Sequence, residues 1–155
     1  MNAFDKKSEQ TSPKTMKYSY CVESKIRAVD LYQLNDGRFQ MIRQGNLSPY
    51  MQGVNYILVE TKLADFLEKL DISHIEFVDA VVWDRGIDKE YKNYKQLIVR
   101  QYFTEETIAH LDLRGLQMYL FGLNYLFVSP ELKELLENSE FDYLAFSKGF
   151  SRFAS

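Results

Sequence analysis

Cysteine is almost missing from this sequence: Cys21 stands alone, so no disulfide can close within the chain and a cysteine-rich zinc site is excluded. Histidine is nearly as scarce, and His74 and His110 have no partner at a spacing that would make a metal pair on a helix or strand. No metal and no other cofactor is therefore expected. Excess charge is also lacking, because 19 basic and 22 acidic residues leave a net −3. That balance cannot offset a phosphate backbone, so nucleic acid is not an expected partner. The most apolar stretch, Leu116 to Val128, is interrupted by Gln117, Gly122 and Asn124 and falls short of the ~20 apolar residues a spanning helix needs. No membrane partner is expected either. No serine sits in a Gly-x-Ser-x-Gly elbow, and no glycine-rich phosphate loop precedes a helix. What remains for an enzyme is a strand-borne acid pair, Asp79 with Glu76 or Asp84, working as general acid and base. Ordinary solvent-facing acids explain those residues more simply, and the chain is read as a non-enzyme.

What is present is enough for one core, since 46% of the 155 residues are hydrophobic. Residues 1–15 form a polar tail with Lys6, Lys7, Glu9, Pro13 and Lys14 and no apolar run of the secretory kind, so the domain is placed at 16–155. A lone cysteine in the alternating segment Tyr18, Tyr20, Val22 reads as a small core residue rather than a nucleophile, and a reducing, cytoplasmic setting fits. That alternation predicts a first strand. Ile26 to Leu34 and Arg38 to Arg43 are two further extended candidates, joined as a hairpin through Asn35-Asp36-Gly37. Gly45, Asn46, Ser48, Pro49 and Gly53 cluster as turn-formers and predict a loop.

From Tyr56 the pattern becomes strand, helix, strand: Tyr56 to Val59, then Leu63, Phe66, Leu67 and Leu70 at helical spacing, then Ile75, Phe77, Val81 and Trp83. Laying Ile57 to Asp79 without gaps on Leu126 to Lys148 sets Val59 on Val128, Leu63 on Leu132, Leu67 on Leu136 and Phe77 on Phe146. In the second copy Ser129 is a credible N-cap, with Pro130 at the first helical position where its missing N–H costs nothing. Between the copies, Asp84 to Asn93 reads as a charged connection, Tyr94 to Phe103 as a returning strand, and Thr104-Glu105-Glu106 as the start of a short helix through His110. The expectation is an α+β fold with a mixed or mainly antiparallel sheet and two short helices, Lys62 to Leu70 and Pro130 to Asn138, in repeated strand–helix–strand units.

Two features point to recognition of a protein. Aromatic residues make up 15% of the chain, eleven of them tyrosine, a residue that offers a large apolar face and a hydroxyl at low rotamer cost. The outer face of the second helix carries Glu131, Glu134 and Glu137, and Asp84, Asp88 and Glu90 punctuate the charged connection. These six acids are the candidate partner contacts, as a patch that would steer a basic surface.

The segment Tyr56-Ile-Leu-Val-Glu-Thr-Lys-Leu-Ala-Asp-Phe-Leu67, the strand Ile75-Glu-Phe-Val-Asp79 and the echo Leu126-Phe-Val-Ser-Pro-Glu-Leu-Lys-Glu-Leu-Leu136 resemble a bacterial immunity-protein family of polymorphic toxin systems. The likeness spans about Asn55 to Phe150. Its motif is a valine-serine-x-x-leucine junction from strand to helix near each end, followed by a glutamate-phenylalanine strand such as Glu76-Phe77; Glu60 stands where the first junction expects serine. The resemblance implies a protein that binds a cognate toxin in the cytoplasm and neutralises it by occlusion, with no catalytic residue of its own. An adaptor or scaffold subunit is the alternative, followed by an enzyme that uses the strand carboxylates.

Overall fold

In the computed structural model, described over residues 18–153, the chain forms β1 (Tyr20–Ser24), β2 (Leu31–Gln33), β3 (Phe39–Met41), β4 (Tyr50–Gln52), β5 (Ile57–Glu60) and α1 (Thr61–Lys69). It continues with β6 (Ile75–Asp84), β7 (Lys89–Val99), β8 (Tyr102–Phe103), β9 (Met118–Phe121), β10 (Tyr125–Val128), α2 (Pro130–Glu137) and β11 (Leu144–Lys148). The polar segment 1–15 lies outside the described residues. The fold is α+β, as its sequence leads one to expect, but its strands form two mixed sheets: β11-β1-β10-β9-β8 and β2-β3-β6-β7-β5-β4. Each sheet is antiparallel except for one parallel pairing, β3 with β6 in one and β8 with β9 in the other.

Each sheet contains one of the repeated units, and the pairing registers coincide. In the first, β7 lies between β5 and β6, pairing Val59 with Lys95 and Phe77 with Leu97. In the second, β1 lies between β10 and β11, pairing Val128 with Tyr20 and Phe146 with Val22. The chain's first strand therefore does for the second unit what the hairpin return strand does for the first. The hairpin entering each unit also matches, since Tyr50 pairs with Val59 as Met118 pairs with Val128. Glu60 N–H donates to the Pro49 carbonyl at 2.9 Å, as Ser129 N–H does to Gln117 at 3.0 Å.

Burial explains why the units share one body. Val59, Leu63, Leu67 and Ile72 of the first unit meet Val128, Leu132, Leu136 and Phe141 of the second in a common core. Alternate residues point the other way: Leu58 into a second cluster with Phe39, Met41 and Val82, and Phe127 into a third with Cys21, Phe103 and Tyr119. β5 and β10 are buried on both faces, which is why they read as unbroken apolar runs. Contacts between the sheets are reciprocal, β1 touching β4 and its counterpart β7 touching β9. A local twofold relation produces that exchange.

Several expected boundaries are corrected. Of Ile26 to Leu34 only Leu31–Gln33 is strand, because the Ser24 hydroxyl accepts from Ile26 N–H at 3.0 Å and turns the chain aside. The hairpin through Gly37 forms, with Gly37 at φ +94° and its N–H donating to Leu34 O. The turn-forming cluster hides β4, whose Tyr50 and Met51 are buried despite Pro49 and Gly53 on either side. The charged connection shrinks to residues 85–88, since β6 runs on to Asp84 and β7 begins at Lys89. The strand expected over Tyr94 to Phe103 breaks at Arg100-Gln101, and β8 crosses to the other sheet. The helix expected from Thr104 is a 3-10 turn, Ile108–His110.

The two helix starts differ as their sequences do. Ser129 Oγ accepts from Leu132 N–H at 3.4 Å and from Gln117 N–H at 3.0 Å, and donates to Gly115 O at 2.7 Å; Glu60 makes no side-chain cap bond. Replacing the fully buried Ser129 with alanine is expected to cost about 1–2 kcal/mol in a denaturant melt, near the upper range for a cap because other buried groups lose their partner too.

Candidate functional site

The repeat extends upstream of Ile57 and Leu126. Gly53-Val54-Asn55-Tyr56 enters β5 and Gly122-Leu123-Asn124-Tyr125 enters β10, so glycine, asparagine and tyrosine recur at equal distance from each helix. The twofold relation brings both turns to one place. Asn124 Nδ2 donates to the Gly53 carbonyl of the other turn, and both turns line a cleft of about 750 Å³ between the end of β1, the segment 26–30, β4 and the carboxy-terminal 3-10 turn Ser151–Phe153.

Three exposed apolar side chains rim this cleft: Val54 at 75%, Leu123 at 70% and Ile26 at 43% exposure. Also lining the cleft, Arg152 sits 3.5 Å from the Glu23 carboxylate, with its guanidinium 5.3 Å from the centre of the Tyr125 ring. The two equivalent glycines serve different ends. A Cβ on Gly53 would fall 2.0 Å from the Tyr56 ring, which is buried against Phe39, whereas a Cβ on Gly122 would meet the Tyr125 ring at an ordinary 3.9 Å but on a backbone at φ +67°. Alanine at either position is expected to destabilise in thermal melts, by about 1–3 kcal/mol at Gly53 through overpacking and about 1–2 kcal/mol at Gly122 through the left-handed backbone.

The six acids named from the sequence fall in two separate groups. Asp84 is buried, accepting from Gly86 N–H at 3.0 Å and Gln44 Nε2 at 3.4 Å. Asp88 accepts from Trp83 Nε1 at 3.1 Å, and Glu90 pairs with Arg38 at 3.1 Å and Lys92 at 3.7 Å. Asp84 and Asp88 brace the tip of the β6–β7 hairpin, and Glu90 ties that hairpin to Arg38, just before β3. On α2, Glu131 and Glu134 are exposed, while Glu137 is tied to Lys133 at 2.6 Å. None of the six lines the cleft. Val54 and Leu123 lie in short turns without periodicity, and the only trace of the cleft rim in the sequence is the Gly-x-Asn-Tyr that the two turns share.

The carboxylates weighed for acid–base work do not converge. Asp79 and Asp84 lie on one strand, about 16 Å apart at strand rise, and Glu76 is bound to Arg100 at 2.6 Å. Cys21 is fully buried and its thiol is pushed up, burial outweighing the lowering by Arg152. Its expected behaviour is resistance to an alkylating reagent at pH 8 until the protein is denatured, followed by mass spectrometry. In the core beside Leu58 and Val82, burial pushes the Tyr94 hydroxyl up to about 12, with Glu60 adding to it, and the hydroxyl donates to Ser48 O at 2.9 Å. A folded pKa above the unfolded ~10 means this contribution is complete below pH ~10. It is lost as pH rises towards 12, so alkaline melts should show falling stability in that window.

Among the described residues no helix is long and apolar enough to cross a membrane, and no cluster of metal-ligating side chains occurs. Comparison of the chain with family models, with curated proteins and with solved structures finds no match in any of the three.

Proposed function

We propose that this chain is an immunity protein that binds a cognate bacterial toxin in the cytoplasm and neutralises it by occlusion. The observation that carries the reading is the cleft mouth, where Val54 and Leu123, equivalent residues of two repeated turns, stand together in solvent. Large apolar side chains cost free energy when exposed, and a rim of them around a roomy cleft marks a surface that a partner covers. Resemblance of the second strand-to-helix junction, Val128-Ser129-Pro130-Glu131-Leu132, to the immunity family's motif, with the first departing from it at Glu60, supplies the kind of partner. The test is co-expression of candidate toxin domains encoded beside this chain, with cell survival as readout: survival only when the chain is present supports the reading, and no toxin rescued by it retires the reading.

One observation favours an adaptor as the second reading. Tyr32, Gln40, Trp83 and Glu90 are successive cross-strand neighbours over β2, β3, β6 and β7, with Arg38 stacked 4.3 Å over the Trp83 ring. That open face would let the chain hold a second protein.

A further inference from the structure

The cleft exists because one strand pairing present in the second unit is missing from the first. In the second unit the chain leaving β7 runs straight on into β8 and pairs with the outer edge of β9, Leu120 N–H donating to Gln101 O at 2.8 Å. Gln101 Nε2 adds a bond to Met118 O at 2.9 Å. In the first unit the counterparts are β1 for β7, β4 for β9 and Ile26 for Gln101, because Leu144 pairs with Ser24 as Ile75 pairs with Val99. There the following segment never reaches the edge. Ser24, at the position that Val99 holds in β7, accepts from Ile26 N–H and lies 2.9 Å from the Ser48 hydroxyl, and Val29 N–H goes instead to Asn46 O at 3.0 Å.

The edge left behind is β4, the outermost strand of its sheet. Pro49 and Gly53 bond across to Glu60 and Tyr56, so by the alternation of an antiparallel ladder Met51 faces β5, while the N–H and C=O of Tyr50 and Gln52 point outward. Tyr50 is satisfied by the Ser48 hydroxyl, which accepts from its N–H at 3.2 Å and donates to its C=O at 3.0 Å. Gln52 is left to the cleft, as the counterpart of Leu120.

We infer that the cleft takes an extended polypeptide segment of the partner protein, added parallel to β4 through the Gln52 N–H and C=O in the place that β8 occupies on β9. The inference rests on the proposed reading that the chain binds a protein, and it states how. Strand addition to an open edge takes its affinity from main-chain hydrogen bonds and its selectivity from side-chain contacts. Here those contacts are Val54 and Leu123 at the mouth, continuing the interface between the two units.

The direct test tethers a strand at the cleft. Because Cys21 is fully buried, a Val54→Cys variant can be joined selectively through a disulfide to the peptide Cys-Gly-Gly-Gln-Tyr-Phe-Thr, which carries the β8 residues. The comparison is the same protein joined to a glycine-serine peptide of equal length. Hydrogen exchange at the Gln52 amide, read by NMR, should slow by about fivefold or more with the strand peptide; equal rates in the two would overturn the inference. A Gln52→Pro variant of the full chain deletes the outward N–H without touching the ladder to β5. Because Gln52 Oε1 also accepts from the Tyr50 hydroxyl at 3.3 Å, the reference is Gln52→Ala, which loses that bond and keeps the N–H. With a rescued toxin in hand, Gln52→Pro should match the melting temperature of Gln52→Ala and bind at least about tenfold more weakly than it. Unchanged affinity would overturn strand docking and leave the immunity reading standing. If no toxin is rescued, the tethered-peptide comparison still decides the edge.

Discussion

Truncating Leu67 to alanine and truncating Leu136 to alanine should each lower the free energy of unfolding by about 2–5 kcal/mol. The two residues are 3% exposed, occupy equivalent helical positions and enter the same core. Neither helix can close that core without the other, because Val59 and Leu63 pack in one cluster with Val128 and Leu132. Each truncation should therefore weaken the whole molecule, and denaturant melts followed by fluorescence and by circular dichroism should remain coincident and two-state. If one variant melted in two steps with half of the signal unaffected, the units would be separate folding bodies and the shared core would be refuted.

The sequence disclosed those packing positions well and the strand edges poorly. Leu63, Leu67, Leu132 and Leu136 were legible because a helix forces its inward residues into a 3.6-residue period, and the gapless match of Ile57 to Asp79 on Leu126 to Lys148 is a match of burial. β4 was illegible for the opposite reason: three residues long, it is too short for alternation to show between Pro49 and Gly53. Polar residues similarly concealed the ends of β6 and β7, where Asp84, Lys89 and Glu90 are strand residues at a hairpin tip. The role of β1 lies beyond local reading altogether, since its place between β10 and β11 depends on pairing over more than 100 residues.

The candidate site divides along the same line. Acids on α2 could be placed on an outer face by helical period, and Glu131 and Glu134 are there. What charge alone could not disclose is that Asp84, Asp88 and Glu90 spend their carboxylates on Gly86, Trp83 and Arg38. The cleft required the twofold relation to bring together two turns that the sequence separates.

A partner that covers the cleft mouth must bury Val54 and Leu123, and a carboxylate at either position would then lose its hydration where an apolar contact was to form. Neither side chain contributes to the buried core, so Val54→Asp and Leu123→Asp, singly and together, should change the free energy of unfolding by no more than ordinary surface substitutions do, about 0.5 kcal/mol each. The decisive measurement is survival of cells that co-express a toxin rescued by this chain with the folded double variant in its place. The account predicts loss of rescue, together with a loss of affinity of about 100-fold or more in a purified binding assay. Full rescue by a double variant that is folded and equally abundant would contradict the assignment of the cleft as the binding surface.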